Sequence, residues 1–414
     1  MNLNVGLAGP AAAGALTGGG GVPGQHGSPI GQDRLVRKEV SLGLIREIVP
    51  PETHIGLQLF PFLEVATDDV IFNYALGMTD GLAPARAEDA ESELAQKDDT
   101  FATEGRASVI DWAVKDHYTA SDVSRYREWL NILETMRDSR ALPLTASSAT
   151  EGFQDRLAKD TLRRRRKLDN RLEWLTMTTL SAGTITYNDG KIKFTVDYGR
   201  PTGQQMVLGT TTLVGGVSGY PLGAVWSGTT GDPIKDIQSI QNHAYDTYGV
   251  RITRAVASRK ALNQLLNSDK FVARSGLVVA SGGTTIDPKY LIDGWGPLAA
   301  QAVVESQTGL KFIEYDSVYR TRPVGSNTVT INRFLPQNRI IFLPDEADVA
   351  EFDDTGIGFG KVLTSPHPAG NWTAGFYEWE RDYGVDPWGY DTGTGIKAFP
   401  VFTHMDLSYA LDVY

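Results

Sequence analysis

The chain has 414 residues, no cysteine and a formal net charge of −11, with 41% hydrophobic and 21% charged residues. Without cysteine there are no disulfides, thiolate metal sites or cysteine nucleophiles, and the acidic balance excludes a surface adapted throughout to nucleic-acid phosphates, which needs an excess of lysine and arginine, as well as adhesion to anionic membranes. The length suits two domains, or one with large excursions, and no apolar run approaches the roughly 20 residues that span a bilayer.

Residues 1–32 are rich in Gly, Ala and Pro, as in LTGGGGVPGQHGSP. Alone, such a segment buries too little surface to offset its ordering entropy, so it reads either as a disordered tail or as an arm held by neighbouring subunits. Its first charge is Asp33. A secretory signal wants a basic region ahead of an apolar one, so the pattern predicts neither export nor anchoring. RLVRKEVSLGLIREIV predicts a short amphipathic stretch that stops at Pro50-Pro51, because proline cannot continue a helix and restricts the residue before it.

VATDDVIFNYA predicts a strand, and FATEGRASVIDWAVKDHY, from Phe101, another. Between them lies LGMTDGLAPARAEDAESELAQKDD, polar, acidic and almost free of large apolar residues. Two strands joined by so long a polar tip make a projecting arm, since a loop of that length is unusual inside a compact domain. In residues 122–138, Tyr126, Leu130, Leu133 and Met136 fall on one helical face.

The longest predicted helix runs from about Ser148 to Ala182. Its stripe is Phe153, Leu157, Thr161, Arg164, Leu168, Leu172, Leu175 and Thr179, broken at Arg164, with Gly183 placed to cap the end. At ~1.5 Å per residue it is about 50 Å long. Within it, Arg163, Arg164, Arg165, Arg166 and Lys167 stand in an unbroken row. Successive helical residues turn by about 100°, so a row points around the circumference and is not a patch. Arg163, Arg166 and Lys167 leave the stripe; Arg164 breaks it, its aliphatic stem still able to cover apolar surface. Asp160, Asp169 and Glu173 are spaced for intrahelical ion pairs, each worth about 0.3–0.5 kcal/mol.

TITYNDGKIKFTVDYGRP predicts a hairpin turning at Asn188-Asp189-Gly190. Residues 202–231 are rich in Gly and Thr and run into AVWSGTTGDP, residues 224–233. From Ile234, helical and strand patterns alternate for about 115 residues, enough for a domain. The remainder returns to a Gly, Pro and Trp texture with strand-like pieces such as FPVFTHMDLSYALDVY.

Chemical motifs are absent. His26, His54, His117, His243, His367 and His404 lack zinc spacing. GIGFGKV fails as a phosphate loop, because Thr355 replaces the first glycine and Val362 the hydroxyl that holds magnesium. Asn371-Trp372-Thr373 is a glycosylation sequon without a secretory signal. Asp111, Asp116 and His117 in DWAVKDHY are the best candidates for a hydrolase, although a histidine beside carboxylates on a strand is commonly a surface pair. No cofactor or metal is expected.

The order of parts and three stretches, RRKLDNRLEWLTMTTLSAG, TYNDGKIKFTVDYGRP and AVWSGTTGDPIKDI, resemble the tailed-bacteriophage major capsid proteins, lambda-type family. The resemblance implies an α+β fold. Its parts would be an N-terminal arm (1–57), an E-loop with flanking strands (58–117), and a P-domain (118–233) with spine helix about 148–182 and hairpin 184–199. An A-domain (234–349) and return strands (350–414) would follow. It implies a structural protein, not an enzyme, whose hexamers and pentamers form an icosahedral head around double-stranded DNA, touched weakly on the inner surface. Assembly would take place in the bacterial host cytoplasm, with a scaffolding protein, a portal protein and, as an optional addition, a decoration protein. A start at Met1 leads to the expectation that no scaffolding segment has been cut from the N-terminus. The assembly contacts expected on this resemblance are Arg163, Arg164, Arg166, Lys167, Asp189, Asp197, Arg200 and Trp226. An encapsulin-like compartment is the alternative on the same fold.

Overall fold

The computed structural model describes residues 45–46, 50–75, 102–122, 146–190, 192–227, 229–274, 280–281, 284–285, 297–322, 328–352, 356–385 and 388–414. The chain divides into two compact units: Met1–Arg37 with His117–Arg156 and Glu380–Asp391, and Lys38–Asp116 with Leu157–Trp379 and Thr392–Tyr414. The predicted helix in 122–138, the arm tip and most of the predicted amphipathic stretch before Pro50 lie outside the described residues.

The arm is a two-stranded antiparallel ribbon in which Asp69–Ala75 pairs with Ala102–Ser108, from Asp69 opposite Ser108 to Ala75 opposite Ala102. The single strand expected from Phe101 is in fact two, Ala102–Ser108 and Asp111–Thr119. The backbone shows why. Val109 N donates to Asp68 O across the ribbon, whereas Ile110 O accepts from Ala398 N in a different sheet. The chain changes sheets between adjacent residues. Asp68 fixes the ribbon's base by accepting from Ser365 Oγ (2.6 Å) and Lys397 Nζ (2.8 Å).

The long helix is Ala146–Ala182. It ends as its sequence predicts: Gly183 turns left-handed (φ 73°) and its N–H returns to Thr179 O at 2.7 Å. Thr184–Asn188 and Lys193–Asp197 then form the hairpin, its turn closed by the Asn188 and Asp189 carbonyl and carboxylate oxygens, which accept from Gly190 N and Ile192 N.

From Pro233 the alternating pattern forms the principal sheet, in the order Lys311–Glu314, Ile252–Ala257, Arg339–Pro344, Tyr409–Asp412, Gln205–Val207. Its outer pairs are parallel and its two inner pairs antiparallel. Arg339–Pro344 has five consecutive buried residues, as a strand covered on both faces requires. The helix Pro233–Tyr248 is started by the Asp232 carboxylate, which accepts from Lys235 N, and stopped by left-handed Gly249. It packs with the helices Arg259–Leu266 and Pro297–Thr308 in a core that includes Ile237, Ile240, Leu262, Val304, Ile340, Phe342 and Tyr409. Two strands of this sheet, Gln205–Val207 and Tyr409–Asp412, come from outside residues 234–349, so that segment does not complete its own sheet. A second sheet runs Phe62–Glu64, Gly360–Thr364, Trp388–Phe402, Phe376–Val385, with Asp111–Thr119 paired to Trp388–Phe402.

Candidate functional site

The long helix buries polar residues, Thr161, Arg164, Arg165, Asp169, Glu173, Thr176 and Thr179, among its apolar ones. Leu157, Thr161, Arg164, Leu168, Leu172, Leu175 and Thr179 are all 4% exposed or less. The predicted stripe is therefore the inward face; the Phe153 side chain lies outside the described residues.

Arg164 departs from expectation. Its guanidinium does not leave the core but is 1% exposed and bonded on all sides. Nη1 donates to Asp116 Oδ2 at 2.8 Å, Nε to Thr394 Oγ1 at 3.1 Å, and Nη2 to Thr161 Oγ1 at 2.7 Å and Glu378 Oε1 at 3.3 Å. A buried cation survives only with its charge and its N–H groups answered in this way. Arg165, one residue on, is also buried. It pairs with Asp169, donates to Ile45 O at 3.3 Å, and lies 3.2 Å from the Phe376 ring centroid. Burial pulls it down to about 9, which leaves it cationic at neutral pH.

Glu173 makes no ion pair, contrary to its spacing. It is fully buried. Oε1 accepts from Gly56 N (3.0 Å) and Tyr315 OH (2.6 Å), and Oε2 from Leu57 N (3.0 Å). Burial pushes its carboxyl above the ordinary glutamate range, against the three donors that pull it back. Gly56 and Leu57 are in the first turn of the short helix Ile55–Leu59, whose amides lack partners of their own. One side chain of the long helix thus caps another helix. Nothing in the local spacing announces this; the available signal is that 165, 169 and 173 continue at four-residue steps into apolar Met177, a second inward line beside the first.

The C-terminal carbonyls are held by two further arginines. Arg200 donates to Leu180 O (2.7 Å) and Ser181 O (3.2 Å) while bonding Ser408 Oγ. Arg339 donates to Ser181 O (3.1 Å) and makes a two-pronged pair with Asp412 at 2.8 Å. Cations suit this negative end of the helix dipole. Burial lowers Arg200 to about 9, and the Arg339 charge adds to the shift.

The contacts expected for assembly therefore divide. Arg164, Arg200 and Trp226 are 7% exposed or less and serve the subunit's own interior. Trp226 Nε1 donates to Asp236 Oδ2 at 2.9 Å, on a carboxyl that burial raises to about 6. Arg166 and Lys167 are exposed, and Arg163 is exposed with a pair to Asp160 at 2.9 Å. Positions 163, 166 and 167 share one face. With its two middle members turned inward, the arginine row leaves a small outward basic face after all. Asp189 and Asp197 are exposed on the hairpin, accepting from Ile192 N and Gly199 N.

The hydrolase candidates have separate engagements. Asp111 accepts from Tyr377 OH at 2.5 Å, Asp116 holds Arg164, and His117 pairs with Asp391 at 2.5 Å. Asp116 and His117 are adjacent on a strand and so face opposite sides. Among the described residues no group of three or more His, Asp or Glu could hold a metal, and no helix is long and apolar enough to cross a membrane.

Asp406 gives the subunit a pH dependence. Burial raises its carboxyl to about 6, so its stabilising contribution is complete below the unfolded value near 3.8 and is lost as pH rises through about 6. Asp406→Asn should match the wild type near pH 3.5 and exceed it at pH 7.5 by on the order of 2 kcal/mol. Urea unfolding at both pH values checks this; equal midpoints at pH 7.5 would refute it.

A model of the phage major capsid protein E family matches residues 45–352. No curated protein matches the chain. Among solved structures, a prophage capsid protein from E. coli CFT073 is 15% identical with TM-score 0.52, covering 92% of this chain and 99% of its own. That likeness shows the fold. A phage-related protein from Bordetella bronchiseptica RB50 (14%, TM-score 0.44, covering 91% and 97%) and the SrpI encapsulin complex from Synechococcus elongatus PCC 7942 (11%, TM-score 0.38, covering 91% and 95%) are too distant to carry an argument.

Proposed function

The chain belongs to the phage major capsid protein E family, a structural component of the virion shell and not an enzyme, and from that premise we propose that its copies form hexamers and pentamers of an icosahedral head around double-stranded DNA. The family match over residues 45–352 carries the proposal, because it spans the arm base, the long helix, the hairpin and most of the principal sheet. In this reading the arm and the glycine-rich N-terminal region lap onto neighbouring copies, and the segment 234–349 meets its equivalents at capsomer centres. Many weak repeated contacts then sum to a closed assembly. Scaffolding and portal proteins are its expected partners, with a decoration protein as an optional addition and assembly in the bacterial host cytoplasm. Arg163, Arg166, Lys167, Asp189 and Asp197 remain as interface residues; buried Arg164, Arg200 and Trp226 do not.

Electron microscopy of the chain alone and with its scaffold tests the reading. Closed shells are expected; a uniform monomer under every condition sinks it. DNA that copurifies with the shells speaks for a phage head, an enzyme cargo for an encapsulin-like compartment. Reversing the exposed pair, Arg163→Glu with Arg166→Glu, should lower particle yield or packaged DNA at least tenfold and leave subunit unfolding within about 1 kcal/mol, as for surface substitutions. Normal particles with normal DNA content would remove these arginines from the interface.

A further inference from the structure

Trp372 is 73% exposed, the most exposed large apolar side chain among the described residues. It has φ 56° and follows Asn371 at φ 58°; these two are the only non-glycine residues with positive φ among those described. A bulky side chain is rarely found in that region, and such strain persists only where surrounding structure enforces it.

The enforcement is visible. Trp372 sits at the end of a small ribbon in which Pro366 pairs with Ala374 and His367 with Thr373. Trp372 N donates to His367 O (3.2 Å), and Asn371 N to Pro368 O (3.1 Å). His367 Nδ1 accepts from Ala369 N (3.1 Å), and its ring stacks on Tyr377 at 3.9 Å and 11°. Tyr377 is in turn fastened by its hydroxyl to Asp111. Arg46 reaches Gly370 O and Phe376 O from another part of the chain. The knuckle is cross-braced, and within the subunit its tryptophan stays largely exposed despite this strain.

We propose that Trp372 is an anchor by which one copy of this chain docks on another, an inference that rests on the shell reading above. The charge pattern selects that partner. From Pro366 to Gly375 the sequence PHPAGNWTAG holds no Asp, Glu, Lys or Arg, on a chain whose net charge is −11. Two acidic copies repel over most of their surfaces, so contact between them is favoured where charge is missing. Interface cores have the same composition, depleted of charge and enriched in tryptophan. A nucleic-acid partner would call for several cations around the ring; residues 366–375 carry none, and the one arginine that reaches them, Arg46, is bonded to Gly370 O and Phe376 O.

Sedimentation of the full chain over a concentration series tests this. Wild type should self-associate, and Trp372→Ala should move the midpoint at least tenfold higher in concentration with an unchanged circular dichroism spectrum and melt. Trp372→Phe, which keeps a ring on the tip, should recover most of the association. Superimposable curves for wild type and Trp372→Ala overturn the inference, as does a wild type that stays monomeric throughout. Loss of binding to a single-stranded oligonucleotide, with self-association intact, also overturns it by assigning the ring to nucleic acid. Electron microscopy separates the two levels: closed shells in equal yield from wild type and Trp372→Ala defeat the anchor alone, whereas no shells from the wild type, with or without scaffold, defeat the shell reading and the anchor together.

Discussion

Replacing Arg164 with methionine is expected to destabilise the subunit by about 3–5 kcal/mol, the usual cost of removing one partner from a buried charge pair. Methionine keeps much of the aliphatic stem, so packing is largely preserved. What changes is electrostatic: Glu378, whose side chain is 7% exposed, loses the Arg164 guanidinium in the interior. Asp116 suffers less, because its side chain is 35% exposed and can turn to water. The asymmetry makes a diagnostic. Arg164→Met with Glu378→Gln should recover more than half of the loss, whereas Arg164→Met with Asp116→Asn should recover little, as read from urea midpoints in a double-mutant cycle. A single mutant within 1 kcal/mol of wild type would show that the cluster contributes no net stability.

Glu173→Ala should be comparably severe, about 3–5 kcal/mol, because it leaves two backbone N–H groups and a tyrosine hydroxyl buried without an acceptor. The damage has a predicted location. Residues 55–59 lose the carboxylate that caps their helix, so limited proteolysis should cut near Ile55–Leu59 in the variant before it cuts elsewhere. Glu173→Gln keeps one acceptor oxygen and should fall between the two. An alanine variant with wild-type unfolding and no new cleavage site would refute the capping role.

These two side chains also show where sequence reading stopped. The stripe on the long helix was legible because apolar residues at three- and four-residue steps have no other economical use, and the glycine after Ala182 marked its end. The hairpin at Asn188-Asp189-Gly190 was legible for the same local reason: the turn residues determine the backbone there. Arg164 was placed on the inward face by periodicity alone, but its neutralising partners, Asp116 and Glu378, are far away in sequence, and no local pattern connects them. Glu173 was misjudged because spacing identifies only neighbours along the helix, whereas its donors come from residues 56, 57 and 315. The change of sheet at Val109 and Ile110 was hidden because both residues favour strands wherever they pair. For the expected contacts Arg200 and Trp226, the family resemblance identified residues worth attention but not the direction they face; burial decided that they hold the subunit's own helix end and core.

The tether between the long helix and the strap at Ile45 and Ile55–Leu59 has an apolar part, in which Ile45 and Leu57 share a buried core with Leu168, Leu172 and Leu175, and a polar part made to the main chain. Arg165 holds the Ile45 carbonyl, and Glu173 holds the Gly56 and Leu57 amides. Main-chain groups are the same whatever the side chain, so the two partners evolve under unequal rules. The gripped carbonyl and amides do not depend on side-chain identity, but Ile45 and Leu57 are buried in the core, and at Gly56 an added methyl would come within 2.8 Å of the Glu173 carboxylate. The gripping positions have no such freedom, since only a guanidinium and a carboxylate serve. Substitution tolerance should therefore be lopsided for these hydrogen bonds, strict at Arg165 and Glu173 and limited on the strap by packing alone.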